Sequence, residues 1–266
     1  MLVVLGAGVL IRQSAGTQAP SSGSTLSESL EEVNKLKQNP VSGLKTVFFQ
    51  NVNLPVGTGI VNSFSIQPVW PFRVAAGWKM ITYMIVPIQW IPPRISGGPS
   101  ASGLGNVLFN AFFRPEKAAG KFLWSVGPTL QFPTRTDAAL GSNRVSGGPA
   151  LLLFGASGKT SGGIVAQNLW SFGGSGANKV NLFSLQYFVN YNLPKGWFIL
   201  TNATSLADWE VPSDRWLFPV GGGAGKTFKM GKLFYSATAQ SFYNVLRPAG
   251  VGSGQAIGQF QVIFGP

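Results

Sequence analysis

The sequence predicts an all-β fold, an antiparallel transmembrane β-barrel of about 12 strands with a short N-terminal helix. Apolar and polar residues alternate along many segments of about ten residues or more, the length of a membrane-spanning strand. Hydrophobic residues make up 45% of the 266-residue chain and charged residues only 11%. So little charge is not enough to cover a soluble globular surface. Alternation is the period of a strand and differs from that of a helix.

The clearest alternation lies in the segment 179–210. Between Phe183 and Tyr191 the odd-numbered residues are apolar, and the even-numbered residues are polar with the exception of Phe188. The turn Pro194–Gly196 then reverses the chain before a second strand of similar length. The segment is therefore predicted to be a long hairpin with one apolar and one polar face, and the rest of the chain repeats this pattern.

Strand candidates follow one another from Lys45 almost to the end of the chain. They cover residues 45–52, 60–73, 77–92, 104–115, 121–134, 144–155, 161–172, 179–193, 196–209, 215–226, 230–245 and 255–264. Short turns alternate with generally longer loops, which is the pattern of bacterial outer-membrane barrels. Eight Trp residues fall mostly near strand ends, as in an interfacial aromatic belt. An even strand count places both termini on the periplasmic side. The alternative fold, a soluble β-sandwich, would need polar outer faces where these strands have apolar ones.

The first 43 residues differ in character from the predicted barrel domain, residues 44–266. Residues 1–20 are interpreted as a signal peptide with a truncated start, because an apolar run precedes small residues but follows no positively charged segment. The alternative is an ordinary buried strand. Residues 21–43 are interpreted as a linker and an amphipathic helix, predicted either to plug the barrel mouth or to pack on its periplasmic rim. The residues that place this helix are Leu26, Leu30, Val33 and Leu36.

The residue types that are absent exclude several kinds of chemistry. The chain has no Cys and no His, which rules out thiolate catalysis, Cys-ligated metals and a Ser-His-Asp hydrolase. Two glycine-rich stretches, 153–160 and 220–227, lack the first glycine of a phosphate-binding loop and the helix that should follow. They are interpreted as periplasmic turns. The sequence thus predicts no cofactor, no metal site and no enzymatic activity.

The polar strand faces are predicted to line the lumen if the aromatic-rich faces contact lipid. The lumen-lining candidates are Gln67, Lys79, Asn110, Arg114, Thr129, Gln131, Gln186, Asn190, Asn202, Thr204, Gln240, Gln259 and Gln261. This neutral-to-basic set favours neutral or anionic small solutes. The net charge of +12 is scattered rather than gathered into a basic patch, so nucleic acid is not a predicted partner. Twelve strands enclose a narrow passage that the N-terminal helix would be able to obstruct.

Several motifs resemble those of a known bacterial family. They are NPVS (39–42), IQPVWPF (66–72), GWKMITYMIVPI (77–88), LWSVGPTLQFPTRTD (123–137), NLWSF (168–172), PKGWFI (194–199) and ADWE (207–210). In this order they resemble the outer-membrane transporters grouped as "MetA-pathway of phenol degradation". The resemblance implies a barrel in the outer membrane of a Gram-negative bacterium that passes small solutes, with hydrophobic or aromatic compounds as candidates. Expected partners are outer-membrane lipid, the barrel assembly machinery and an unidentified solute.

Three functions are open at this stage. The first is a passive outer-membrane channel, because no nucleotide site is available to energise transport. The second is a structural or surface-interaction barrel with a plugged lumen and no transport. The third is a barrel enzyme that works with carboxylates alone, built on Asp208 and Glu210. A solvated loop is the preferred interpretation of these two residues, because exposed ionic pairs contribute little.

Overall fold

The computed structural model describes residues 30, 32–40, 42–93, 98–116, 122–176 and 179–264. Within these ranges the chain forms a closed antiparallel β-barrel of twelve wall strands, which confirms the predicted fold class. The predicted signal peptide, residues 1–20, and Leu26 of the predicted helix lie outside the described residues. No helix in the described ranges has the length and apolarity needed to cross a membrane.

The wall consists of thirteen strand segments. They are β1 (Lys45–Val56), β2 (Gly59–Ala75), β3 (Trp78–Ile91), β4 (Ala101–Leu104), β5 (Val107–Pro115), β6 (Phe122–Phe132), β7 (Arg144–Ser157), β8 (Thr160–Gly174), β9 (Asn181–Asn192), β10 (Trp197–Asp208), β11 (Trp216–Met230), β12 (Leu233–Leu246) and β13 (Gly254–Phe264). Segments β4 and β5 form one wall strand, because both pair with β3. Pairing of β1 with β13 closes the barrel.

Within the described ranges, helical structure is confined to short elements. Helix α1, at residues 30 and 32–38, precedes the barrel. Two 3-10 segments, Ala138–Leu140 and Pro194–Gly196, lie in connections. In the second of these, Lys195 and Gly196 have φ values of 59° and 78°, so the connection is a tight turn. We call the end of the barrel that carries Lys45 and Phe264 the proximal end, and the opposite end the distal end.

The predicted strands correspond to the wall strands, and the differences lie at the connections. The first two strand candidates ended at residue 52 and began again at residue 60, but β1 runs to Val56. Gly57, with φ 59°, allows a two-residue turn to β2. The stretch 220–227, interpreted as a turn, lies inside β11, so that interpretation was wrong. Its glycines serve close strand packing, because a Cβ at Gly223 would collide with the backbone oxygen of Ala239. The stretch 153–160 does contain a turn.

The eight Trp residues form two belts on the outer face. Trp70, Trp78, Trp124 and Trp197 lie towards the proximal end, and Trp90, Trp170, Trp209 and Trp216 towards the distal end. Trp side chains favour the interface between membrane and water. The belts therefore mark the two borders of an apolar outer band.

The buried core lies inside the barrel. One cluster of buried side chains consists of Ile81, Phe112, Ala150, Leu152, Phe154 and Phe188. On β7, Leu152 is 2% exposed, whereas its neighbours Leu151 and Leu153 are 37% and 41% exposed on the outer face. Three consecutive leucines interrupt the sequence alternation here because one of them faces an apolar part of the lumen.

Candidate functional site

A cavity of about 520 Å³ occupies the lumen. Strands β5, β7 and β8 contribute only the apolar side chains of Phe112, Leu152 and Val165 to its lining. Strands β12 and β13 contribute mainly hydroxyl and amide side chains. The cavity therefore has an apolar wall and a neutral polar wall, and its volume suits a small molecule.

Hydrogen bonds fix further amide side chains that line the cavity from β2, β9 and β10. Tyr83 Oη donates to Gln67 Oε1 at 2.7 Å, and Gln67 Nε2 donates to Ser65 Oγ at 2.7 Å. On the other side of the lumen, Gln186 Nε2 donates to Asn202 Oδ1 at 2.9 Å. Side chains that bond one another in this way present their remaining donors and acceptors in defined directions.

The candidates predicted from the sequence occupy three kinds of position. Seven line the cavity: Gln67, Gln186, Asn190, Asn202, Thr204, Gln259 and Gln261. Asn110 and Thr129 are buried to 1% and 0% exposure away from the cavity, and Asn110 Oδ1 and Thr129 Oγ1 have no hydrogen-bond partner among the described residues. Gln131 lies on β6 beside them, and Gln240 on β12 is buried, 6% exposed.

The two cationic candidates lie near the proximal end of the wall. Lys79 is paired in register with Arg114 on one side and with Arg73 on the other. Glu116 Oε1 lies 3.3 Å from Lys79 Nζ and 2.9 Å from Arg73 Nη2. Neither cationic candidate lines the cavity. The positive charge expected along the lumen is instead located at one end and is partly balanced.

The apolar wall was not anticipated from the sequence. Alternation alone assigned the apolar residues of each strand to lipid, whereas Ile81, Leu152 and Phe188 face the lumen. Phe188 stacks on Phe154 with ring centroids 6.3 Å apart. A signal was present, since Phe188 stood out as the exception on its polar face.

Helix α1 lies against the proximal mouth and is anchored there by Asn34. Asn34 Nδ2 donates to the backbone oxygen of Gly196 at 3.3 Å, and Thr227 Oγ1 donates to Asn34 Oδ1. Asn34 and Thr227 are both fully buried. The anchor therefore joins α1 to β11 and to the turn before β10.

A second anchor is the amide of Gln38. It forms a reciprocal pair with Asn192, in which Gln38 Nε2 donates to Asn192 Oδ1 at 2.8 Å and Asn192 Nδ2 donates to Gln38 Oε1 at 3.0 Å. Ser161 Oγ also donates to Gln38 Oε1, at 2.8 Å. Gln38 lines the cavity, so α1 forms part of its proximal floor.

Lys37 is the only charged side chain that lines the cavity in the described part of the chain. Its Nζ donates to Ser236 Oγ at 2.7 Å and lies 3.9 Å from the centroid of the Phe198 ring. Burial lowers the pKa of Lys37 from its usual 10.5 to about 7. The floor of the cavity therefore carries an amine that titrates near neutral pH.

The face of α1 that bonds to the barrel wall is not the apolar face from which the sequence predicted the helix. The stripe of Leu30, Val33 and Leu36 defined the predicted helix, but the hydrogen bonds come from Asn34, Lys37 and Gln38. Leu36 is 43% exposed, while Leu30 and Val33 are half-buried. A polar face contacts the mouth because the wall offers hydroxyl, amide and backbone carbonyl groups there.

Comparison with known proteins supports the fold class. No family model and no curated protein matches the sequence. Among solved structures, the chain is similar to an outer membrane channel from Pseudomonas putida F1, with 14% identity, 83% of this chain and 94% of that chain covered, and a TM-score of 0.61. It is also similar to the NanC porin, with 10% identity, coverage of 83% and 100%, and a TM-score of 0.51. At these identities the similarity shows the fold alone, that of outer-membrane β-barrels, which is consistent with the family that the motifs resemble.

One comparison corrects a prediction. Outer membrane phospholipase A from Escherichia coli is also similar, with 11% identity, coverage of 84% of this chain and 90% of that chain, and a TM-score of 0.43. The prediction that this protein is not an enzyme is contradicted by that match to an enzyme. The match concerns architecture and assigns no residue of this chain a catalytic role.

Proposed function

We propose that the protein is a passive outer-membrane channel for small solutes that α1 closes at its proximal end. The observation that carries the proposal is the cavity of about 520 Å³ inside a closed barrel, with α1 as its floor. Side-chain hydrogen bonds of Asn34, Lys37 and Gln38 hold that floor, and water is able to replace such bonds when the helix leaves.

The proposed location is the outer membrane of a Gram-negative bacterium. The two Trp belts and the apolar band between them suit a bilayer, and the proximal end then faces the periplasm, as in other outer-membrane barrels. Outer-membrane lipid is the proposed partner of the outer face, and the barrel assembly machinery the proposed partner during insertion. Export to the outer membrane fits the proposed domain order, in which a signal peptide (1–20) precedes the linker and helix (21–43) and the barrel (44–266).

The lining supports uncharged solutes with both apolar and polar parts. Phe112, Leu152 and Val165 offer an apolar surface to a ring or chain, and amides such as Gln67 and Gln186 offer hydrogen bonds. Small hydrophobic or aromatic compounds with a polar substituent fit this description. For ions, we propose a weak anion preference, because the cations lie at the proximal end and few acidic groups oppose them.

Planar-bilayer conductance of the refolded protein, with and without residues 1–38, tests the proposal. Stepwise currents that become larger or more frequent after truncation would support a channel closed by α1. Swelling of liposomes in a neutral sugar should follow the same order. Refolding is verified independently by the β-sheet signal in circular dichroism. The reversal potential under a salt gradient tests the anion preference, and a value of zero or one of the sign that cation selectivity gives would contradict it.

A structural or surface-interaction barrel without transport is the second candidate. The observation that favours it is the docked state of α1, in which Asn34 is fully buried. Correctly refolded protein that passes neither ions nor sugar, both as the full chain and without residues 1–38, would favour this candidate over the channel.

A further inference from the structure

The wall between β10 and β11 has a break in its backbone pairing halfway along the strands. The register pairs Leu200 with Gly223 and resumes only where Leu206 pairs with Leu217. Residues 201–205 and 218–222 have no pairing with each other, although each set pairs with the strand on its other side. This is the longest interruption in the wall that the described residues form.

Pro219 accounts for the break. The register places Pro219 opposite Thr204, and proline has no N–H to donate to the neighbouring strand. On its other side, β11 has a register shift against β12 between Phe218 and Pro219, so the backbone is irregular at the same position. Three consecutive glycines, 221–223, follow one residue later and tolerate the irregular backbone.

Side chains from both faces bond to two of the backbone groups that the break leaves unpaired. From the lumen, Gln240 Oε1 accepts a hydrogen bond from the backbone N–H of Asn202 at 2.8 Å. From the outer face, Tyr187 Oη donates to the backbone oxygen of Pro219. Irregular backbone is tolerated in a membrane wall only where such partners satisfy it. Two side chains therefore hold this part of the wall, and side chains rotate far more readily than strands separate.

An aromatic pair covers the outer side of the break. The rings of Tyr187 on β9 and Phe218 on β11 stack with centroids 6.1 Å apart and an interplanar angle of 17°. Between them on β10 lie Ala203 and Ser205, which are 1% and 0% exposed. Small residues leave the rings as the main cover. Because Trp197 and Trp209 mark the ends of β10, this cover lies in the middle of the apolar band.

The cavity reaches the inner side of the same break. Asn202 and Thr204 of β10 line it, as do Leu206 and Leu217, which pair at the distal limit of the break. At the break, the side chains of Asn202 and Thr204 therefore lie on the cavity side of the unpaired backbone, and the rings of Tyr187 and Phe218 cover its outer side.

We propose that this break is a lateral passage between the lumen cavity and the hydrocarbon of the membrane. Rotation of Tyr187 and Phe218 opens it, and an uncharged solute with an apolar body passes between β10 and β11. The inference rests on the proposed channel function, in which the lumen is a solute path. Ions and sugars have no favourable environment in the hydrocarbon and use the proximal mouth instead.

A cross-link across the break tests the passage. Ala203→Cys with Val220→Cys joins two outward-facing positions that the register sets opposite each other, and the chain has no other Cys. The matched control is Ile199→Cys with Ala224→Cys, register partners on the same two strands where pairing is intact. The readout is uptake of the uncharged aromatic dye N-phenylnaphthylamine by Gram-negative cells that express the protein.

Oxidation should lower dye uptake through the Ala203→Cys/Val220→Cys barrel to the level of cells without the protein, and dithiothreitol should restore it. The control pair should leave uptake unchanged, and neither disulfide should alter bilayer conductance or sugar swelling. Undiminished dye uptake through a verified disulfide would overturn the lateral passage while leaving the channel intact. A wild-type barrel that passes neither ions nor sugar would instead overturn the channel.

A second variant covers the case in which the disulfide does not form. Tyr187→Ala removes one ring of the pair and the hydrogen bond to Pro219, and should raise dye uptake several-fold without changing conductance. Tyr191→Ala, on the same outer face of β9 and 43% exposed, is the control and should have no effect. Equal dye uptake by wild type and Tyr187→Ala in conducting barrels would overturn the proposal.

Discussion

Two places in the boundary of the cavity, the proximal mouth and the break between β10 and β11, are closed by different kinds of contact. At the proximal mouth, α1 contributes Asn34, Lys37 and Gln38, which bond to wall groups that water would otherwise hydrate. At the break between β10 and β11, an aromatic pair lies on the outer face, and among the described residues Gln240 and Tyr187 bond to freed backbone groups. In the proposed location, the first closure contacts water and the second contacts hydrocarbon.

The difference implies different costs of opening. When α1 leaves, water replaces its hydrogen bonds, so the net change in free energy is only about 1 kcal/mol per bond. When the break opens without an occupant, backbone groups such as the Asn202 N–H are exposed to hydrocarbon, which costs several kcal/mol for each group. The proximal mouth is therefore expected to open spontaneously, and the break only when a solute fills it.

Loss of both amide anchors of α1 should have the largest effect on this comparison. Asn34→Leu with Gln38→Leu removes the hydrogen bonds to Gly196, Thr227, Asn192 and Ser161. Asn192 also donates to Gln38, so five bonds are lost in all. At about 1 kcal/mol net for each bond, the open probability should rise at least on the order of a thousandfold. Single-channel recording measures it. Lys35→Ala with Leu36→Ala, at exposed positions of the same helix, is the control, and an equal rise there would show that helicity rather than anchoring was lost.

Gln240→Leu should weaken the wall itself. The substitution removes the acceptor of the Asn202 N–H, and an unsatisfied buried donor costs about 1–3 kcal/mol. The free energy of unfolding, from urea titration in lipid vesicles, should fall by that amount. Gln259→Leu, on the cavity-lining face of β13, serves as the control and should cost less. If the two variants were equally stable, Gln240 would not support the break.

Conductance should depend on pH through Lys37. Its pKa is about 7 when α1 is docked and 10.5 when the side chain is free, so the undocked state binds more protons between these values. Docking is therefore weakest below the docked pKa and strengthens as the pH rises through it. Open probability should be about a hundredfold higher at about pH 6 than at about pH 9, because the docking penalty falls by the equivalent of about two pH units between them.

The Lys37→Met variant checks the origin of this effect. No other charged side chain in the described part of the chain lines the cavity, and Lys195 in the adjoining turn is exposed. The variant should have an open probability that does not change with pH. A pH response that survives the substitution would have to come from another group.

Tyr187→Phe should produce the smallest change. The ring and its stacking on Phe218 remain, and only the hydrogen bond to Pro219 is lost, which corresponds to about 1 kcal/mol. Dye uptake should rise slightly, by less than in Tyr187→Ala, while conductance stays the same. If Tyr187→Phe matched Tyr187→Ala, the hydrogen bond rather than the ring would be the main closure.

The wall was largely predictable from the sequence, because strand alternation and turn glycines act locally. Gly57 and Lys195, for example, lie at turns whose conformation depends on the local sequence and not on contacts with distant strands. The lumen was less predictable. Whether Leu152 or Phe188 faces lipid or cavity depends on side chains from distant strands, and alternation only states that neighbours point in opposite directions.

The closure by α1 and the break between β10 and β11 were also hard to predict from the sequence, because both depend on contacts between separate elements. The sequence located α1 by its leucines, but the docking face follows from what the mouth offers to Asn34 and Gln38. The break depends on the pairing of β10 with β11, which involves two strands at once. Pro219 inside a predicted strand was its one local signal, since proline is normally confined to edges and bulges.

The contacts of α1 also bear on the order of assembly. Asn34 bonds to Thr227 across 193 residues of sequence, and Lys37 to Ser236 across 199. Contacts between such distant parts of a chain form late, because the intervening strands must first be in place. The helix precedes every strand that the structure describes, yet its binding surface exists only once β8 to β12 have joined. We therefore expect the lumen to form before α1 docks, and docking of this N-terminal helix to be a late step of folding.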